Sequence, residues 1–223
     1  MTKIINKLNW GSRTYIMGII NVTTDSFSGD GIAADLSAIA KQAIIFQKFG
    51  ADIVDIGGES SRPPSVYGDV KKVSIKTETQ RVLSAIEIIK KNVKLPISID
   101  SRNSSVIKEA INHGASMIND ISMLNHDKQM IEIVAKSNLP YILMHNKKIA
   151  QKKNVTKQIK IDLQKKIDLL IDNGFNTNNL IIDPGIGFNK NTEQNIEIIS
   201  NLDKLKFGFP ILIGTSRKKH IGD

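Results

Sequence analysis

Seven times along this chain an apolar run ends in polar residues and gives way to a helix-like stretch. The runs cover residues 15–22, 52–57, 96–100, 116–120, 140–145, 180–183 and 210–215. They are rich in Ile and Val with little alternation, as parallel strands buried on both faces are. Helical spacing fills the intervals. Leu36, Ile39, Ala40, Ala43 and Ile44 follow Asp35, which has the place of an N-cap, and Gly50 has the place of a helix C′ residue. Val82, Ile86 and Ile89 recur within 77–91, and a further stripe runs from Val106 to Ile111 between Ser104 and Gly114. Ile159, Leu163, Ile167 and Leu170 precede Gly174, and Ile196, Ile199 and Leu202 follow Thr192. This rhythm predicts one α/β domain over 1–223, a TIM-type (β/α)8 barrel with seven recognisable strands. The eighth βα unit is absent before the end at Asp223, so the domain is expected to be C-terminally incomplete.

Composition narrows the class. An apolar fraction of 40% supports a large buried core and disfavours disorder, and the absence of cysteine fits a reducing compartment. The first ten residues lack the apolar segment of a signal peptide, and no apolar run approaches the ~20 residues of a membrane span. A cytoplasmic location is expected. The net charge of +9 raises the question of nucleic acid, but the lysines are scattered and aromatics make up only 5%. That leaves few side chains to stack on bases, and no nucleic-acid or membrane partner is expected.

The unusual residues sit at the C-terminal ends of the strand runs: Asn21, Asp55, Asp100, Asn119, His145, Asp183 and the triplet Ser216-Arg217-Lys218. That end is where such barrels carry their active sites. Any one of these aspartates could be an N-cap alone. Asp100, Asn119 and Asp183 together, with Lys218 nearby, suit a flat, nitrogen-rich heterocycle that presents several N–H donors. Asp183 leads into Pro184-Gly185-Ile186-Gly187-Phe188, a turn that lets backbone approach a ligand closely. Positive charge at 217–218 is disfavoured by a helix dipole and points to an anionic or π-rich ligand. The four histidines have no zinc spacing, whereas Asn21 could offer its carbonyl to a Mg²⁺ ion carried on a diphosphate. Two loops, 23–34 and 60–74, are longer than the scaffold requires.

These segments also carry a resemblance. Met17-Gly-Ile-Ile-Asn-Val-Thr-Thr-Asp-Ser-Phe-Ser-Gly-Asp-Gly31 resembles the first signature of dihydropteroate synthases, and Asp55-Ile-Gly-Gly-Glu-Ser-Ser-Arg-Pro63 the second. Ile99-Asp-Ser, Ile118-Asn-Asp, Leu143-Met-His, Ile182-Asp-Pro-Gly-Ile-Gly-Phe188 and Gly214-Thr-Ser-Arg-Lys218 follow in the family's order. The resemblance implies a transferase of folate biosynthesis that joins 6-hydroxymethyl-7,8-dihydropterin diphosphate to p-aminobenzoate, with Mg²⁺. It implies that Asp100, Asn119, Asp183 and Lys218 hold the pterin, with Asp100 and Lys218 catalytic. It further implies that Asn21, Ser61 and Arg62 serve the diphosphate, Asn21 also meeting the metal. Phe27, Pro63, Phe188 and Ser216 would shape the p-aminobenzoate site.

Several positions depart from the family pattern. Thr24 stands where Pro is usual, Ser61 for Thr, Pro64 for Gly and Ile186 for an aromatic, and none of these removes a charged site residue. The family's Arg-x-His on its eighth strand and the helices through which it commonly forms homodimers have no counterpart before Asp223. A pterin-binding methyltransferase domain and a catalytically inactive pterin-binding module are the alternatives, and the 60–63 and 216–218 segments favour the synthase.

Overall fold

The computed structural model describes residues 8–22, 35–59, 73–150 and 154–215. The chain divides into two compact units, Met1–Asn119 and Asp120–Asp223.

In the first unit strands and helices alternate: β1 (Met17–Asn21), α1 (Leu36–Lys48), β2 (Ile53–Gly57), α2 (Ile75–Asn92), β3 (Ile97–Asp100), α3 (Ser104–Asn112) and β4 (Met117–Asp120). The last residue of β4 opens the second unit. Each strand pairs in parallel with the next, Met17 opposite Ile53, Val54 opposite Ile97 and Ser98 opposite Met117. Val54, Ile56, Ile99 and Ile118 are buried in the strands, and Ile39, Val82, Ile86, Ile89, Val106 and Ile107 on the helices. The helix starts follow from local chemistry. Asp35 accepts from the amides of Ser37 and Ala38, and Ser74 accepts from that of Thr77. Arg13 pairs with Asp52, whose carboxylate also takes the Ile16 amide and so fastens the entry of β1 beside β2.

The second unit holds α4 (Met130–Ser137), β5 (Tyr141–Met144), α5 (Val155–Asp172), β6 (Leu180–Asp183) and α6 (Thr192–Ser200), with short 3-10 turns at Thr177–Asn179 and Leu202–Leu205. β5 and β6 are parallel, Tyr141 opposite Leu180. Its core includes Tyr141, Ile142, Leu163, Ile167, Leu170, Ile182 and Ile198. Asp120 organises the bend that follows β4, where Met123 and Leu124 have φ of 61° and 58°. Its carboxylate accepts from the amides of Ser122 (2.7 Å) and Leu124 (2.9 Å) and from the Tyr141 hydroxyl (3.0 Å). Burial, with Asp120 alongside, pushes the Tyr141 hydroxyl well above its ordinary pKa.

The expected seven strands are corrected to six among the described residues. The seventh run, 210–215, contributes one parallel bridge, Ile211 opposite Ile182. The Ile182 amide donates to the Pro210 carbonyl and the Leu212 amide to that of Ile182. Pro210 has no amide to extend the ladder. Ile213 is 41% exposed, where a strand sandwiched on both faces would bury it. The helix α4 has no counterpart in the sequence reading. Its N-cap residue Gln129 makes no side-chain cap, and only Met130 and Val134 are buried, so it carries neither a start signal nor a long stripe. Among the described residues no helix is long and apolar enough to cross a membrane.

Removing the Tyr141 hydroxyl (Tyr141→Phe) is expected to cost about 1–2 kcal/mol, because a buried acceptor then loses a donor. Tyr15→Phe, whose hydroxyl bonds the exposed Asn9 carbonyl, should stay within about 0.5 kcal/mol. Urea unfolding of both variants measures the contrast.

Candidate active site

Unshifted parallel register in the first unit lines up four strand ends. Asn21 lies opposite Gly57, Gly57 opposite Asp100, and Asp100 opposite Asn119. The middle position has no side chain, and that matters. A Cβ on Gly57 would stand 3.2 Å from Asn21 Oδ1 and 3.6 Å from Asp100 Oδ2. The amide and the carboxylate therefore lean over Gly57 from the two neighbouring strands, on one face. One step down the same face, Asp55 lies opposite Ser98 and accepts from Asn119 Nδ2 at 3.1 Å. Burial pushes the Asp55 carboxyl above the usual carboxylate range, with Ser98 and Asn119 opposing it.

Behind this row the loops are tied by a buried glutamate. Glu78, in the first turn of α2, is 1% exposed and accepts from Ser101 Oγ and Asn103 Nδ2, each at 2.6 Å. Those two residues belong to the turn that leaves Asp100, so α2 fixes the exit of β3. Gly58 packs against the same helix: a Cβ there would meet Glu78 and Val82 at 2.9 Å. Arg102 closes the connection through Nη2, which donates to both carboxylate oxygens of Glu59 at 2.9 and 3.0 Å.

In the second unit Asp183 ends β6, buried, and its Oδ1 accepts the Gly185 amide at 2.7 Å. Gly185 has φ of 69°, and a Cβ on it would come within 2.1 Å of the His145 carbonyl oxygen, so only glycine fits this crossing of the two strand exits. Lys190 fastens the turn by donating to the carbonyls of His145 (3.1 Å), Gly185 (2.9 Å) and Phe188 (2.9 Å). His145 is buried, with Nε2 3.4 Å from Asp162 Oδ2. Burial and the Lys190 charge hold its pKa down to about 4 in spite of Asp162. Burial works against ionisation of Asp162 as well, but hydrogen bonds from Gln158, Lys147 and His145 outweigh it and keep that carboxyl below its usual value.

Of the residues marked by the sequence, Asn21, Asp100 and Asn119 stand in one row of the first unit, and Asp183 and the half-buried Phe188 flank the glycine turn of the second. Phe27, Ser61, Arg62, Pro63, Ser216 and Lys218 lie outside the described residues. Glu78, Glu59 and Lys190 were not marked. Glu78 reads as a surface helix residue because its partners are 23 and 25 positions away. Lys190 reads as one surface lysine among many.

Residues 17–223 match the family model described as pterin binding enzyme. The chain is 44% identical over 217 residues to the dihydropteroate synthase of Clostridium beijerinckii, covering 97% of this chain and 79% of that protein. The chain belongs to the dihydropteroate synthase family. Among solved structures, the family member from Clostridium difficile, determined in the presence of pteroic acid, superposes with a TM-score of 0.89 at 40% identity, covering 96% of this chain and 80% of that one. The Xanthomonas albilineans dihydropteroate synthase with 4-aminobenzoic acid gives a TM-score of 0.85 at 34% identity, covering 95% and 76%.

No cluster of three or more His, Cys, Asp or Glu side chains able to hold a metal occurs among the described residues. The oxygen of Asn21 is nevertheless the donor type magnesium takes, and an ion that arrives on a diphosphate needs few protein ligands. Asn21 Oδ1, which leans over Gly57, is an oxygen of that kind.

His145 gives the fold a pH signature. Unfolded, it would take a proton near its ordinary pKa of 6.5; folded, only near 4. Between those values the unfolded chain binds more protons, so stability falls as pH falls. From pH 8 to pH 5 this group should remove about 2 kcal/mol. Chemical denaturation across that range should show a slope that His145→Gln flattens by a similar amount.

Proposed function

We propose that this chain condenses 6-hydroxymethyl-7,8-dihydropterin diphosphate with p-aminobenzoate, giving dihydropteroate and diphosphate in folate biosynthesis. The observation that carries this reading is the row Asn21, Gly57, Asp100, Asn119, in which a glycine keeps space open between an amide and a carboxylate. Family membership supplies the reaction class, a transferase.

In this reading Asp100, Asn119 and Asp183 take hydrogen bonds from the pterin, and Lys218 lies beside its ring. Ser61 and Arg62 meet the diphosphate, and Phe27, Pro63, Phe188 and Ser216 bound the space for p-aminobenzoate. Asn21 would hold the magnesium ion that accompanies the diphosphate, and that ion supplies neutralisation of the leaving group's charge. The C–O bond between the pterin methylene and the diphosphate breaks, and its electron pair leaves with the diphosphate. The carboxylates of Asp100 and Asp183 favour the positive charge left on the pterin, a form of fixed electrostatic stabilisation. The p-aminobenzoate nitrogen then donates its lone pair to the methylene carbon, and the proton it carries passes to solvent or to the released diphosphate. A neutral aromatic amine needs no strong protein base for this. In this reading the reaction takes place in the cytoplasm, in keeping with the absence of cysteine.

Purified protein mixed with both substrates and Mg²⁺, followed chromatographically, should yield dihydropteroate. Pterin binding without turnover would reduce the chain to a binding module, and no pterin binding would overturn the proposal. Gly57→Val tests the position of the site. Valine suits a strand but would press on Asn21 and Asp100. The variant should fold, with its circular dichroism unchanged, and lose pterin affinity by at least tenfold in calorimetry.

A further inference from the structure

We infer that Asp55 is a positioning residue: by holding the NH₂ end of the Asn119 side chain, it fixes the Asn119 carbonyl oxygen as the acceptor offered to a pterin ring N–H. This rests on the pterin reading above and deepens it.

The place of Asp55 is costly. It sits in the middle of β2, 3% exposed, in a parallel strand whose other residues are apolar or glycine. Strand interiors of this kind normally hold only apolar side chains. Its neighbour across β3 is Ser98, fully buried. Ser98 and Asn119 both act on the Asp55 carboxyl as hydrogen-bond donors, and the bond from Asn119 Nδ2 to Asp55 Oδ2 is 3.1 Å.

The bond from Asn119 has a consequence for the amide. An asparagine side chain has a donor end and an acceptor end, and without a fixed neighbour it can turn either one to a ligand. A carboxyl oxygen that carries no proton only accepts, so Asp55 Oδ2, which takes the bond from Asn119, selects the NH₂ end. The oxygen of Asn119 is then the end left for a ligand. Asn119 stands in the row with Asp100, and Asp55 lies one step beneath Gly57, where no side chain intervenes from β2. Asp55 thus acts through Asn119 and needs no contact with the ligand.

A double-mutant cycle on the intact chain tests this, with 6-hydroxymethylpterin as the probe in calorimetry. Asp55→Asn should weaken binding roughly tenfold or more in the native background. In the Asn119→Ala background the same change should cost less than about threefold, because the group it acts through is gone. Equal losses in both backgrounds would overturn the inference. A nitrogen-15 correlation spectrum of the unsubstituted protein keeps the test independent of whether Asp55→Asn folds. The side-chain NH₂ of Asn119, assigned by its disappearance in Asn119→Ala, should exchange slowly with water; exchange at the rate of an exposed amide would overturn the inference. Failure of the unsubstituted protein to bind the probe would sink the pterin reading, whereas binding with equal losses in both backgrounds would sink only the role of Asp55.

Discussion

Parallel pairing without a register shift sets the height of the polar groups at the strand ends of the first unit. The interior of a parallel strand, enclosed by its neighbours and by the helices on its outer face, admits few polar side chains, Asp55 and Ser98 being the exceptions here. Chemistry therefore collects at the strand exits. A register that is level from β1 to β4 brings Asn21, Gly57, Asp100 and Asn119 to the same height. A slip of one residue in any pair would turn a whole strand over, burying its exit group and exposing its core. The buried set of Val54, Ile56, Ile97 and Ile99 makes that slip expensive, so the packing of the core also aligns the site.

Strand exits need anchoring beyond the ladder, and the two units do this with different chemistry. The first uses an anion: Glu78 reaches from α2 to side chains on the turn after β3. The second uses a cation, Lys190, which donates to three backbone carbonyls. Carbonyls at the ends of parallel strands have no further strand to donate to them, and a lysine ammonium has three protons to give. Lys190 meets that need at the crossing where Gly185 leaves no room for a side chain. The same charge helps to keep His145 neutral, so one lysine serves both the backbone and the electrostatics of the turn.

How much of this could be read from the sequence follows from which interactions are local. Six strand exits were legible to within a residue or two; five are apolar runs ended by Asp, Asn or His, a local signal, whereas the second ends in Gly57, and Asp55, read as a strand-end group, stands in mid-strand. The N-cap of Asp35 was legible for the same reason. The run at 210–215 misled, since apolar residues there have one bridge at Ile211 and no ladder beyond it. Hydrophobicity marks what can enter a strand, but pairing decides what does. Glu78 and Lys190 were illegible because burial and acceptor geometry, not residue type, distinguish them from surface charges. Their partners are brought close only by the fold.

Buried polar groups here differ in how much the fold itself gains from them. Asp120, Glu78 and Lys190 each have several short bonds that fasten turns. Asp55 and Ser98 lie in a buried layer directly below the row of strand exits, where apolar side chains would avoid the cost of desolvation. Natural cores accept a cost of this kind chiefly where activity requires it. A chain selected for stability alone would place valine or isoleucine at 55 and 98, as it does on either side of both positions. Retaining an aspartate and a serine there withholds stability from the core directly beneath the row of strand exits.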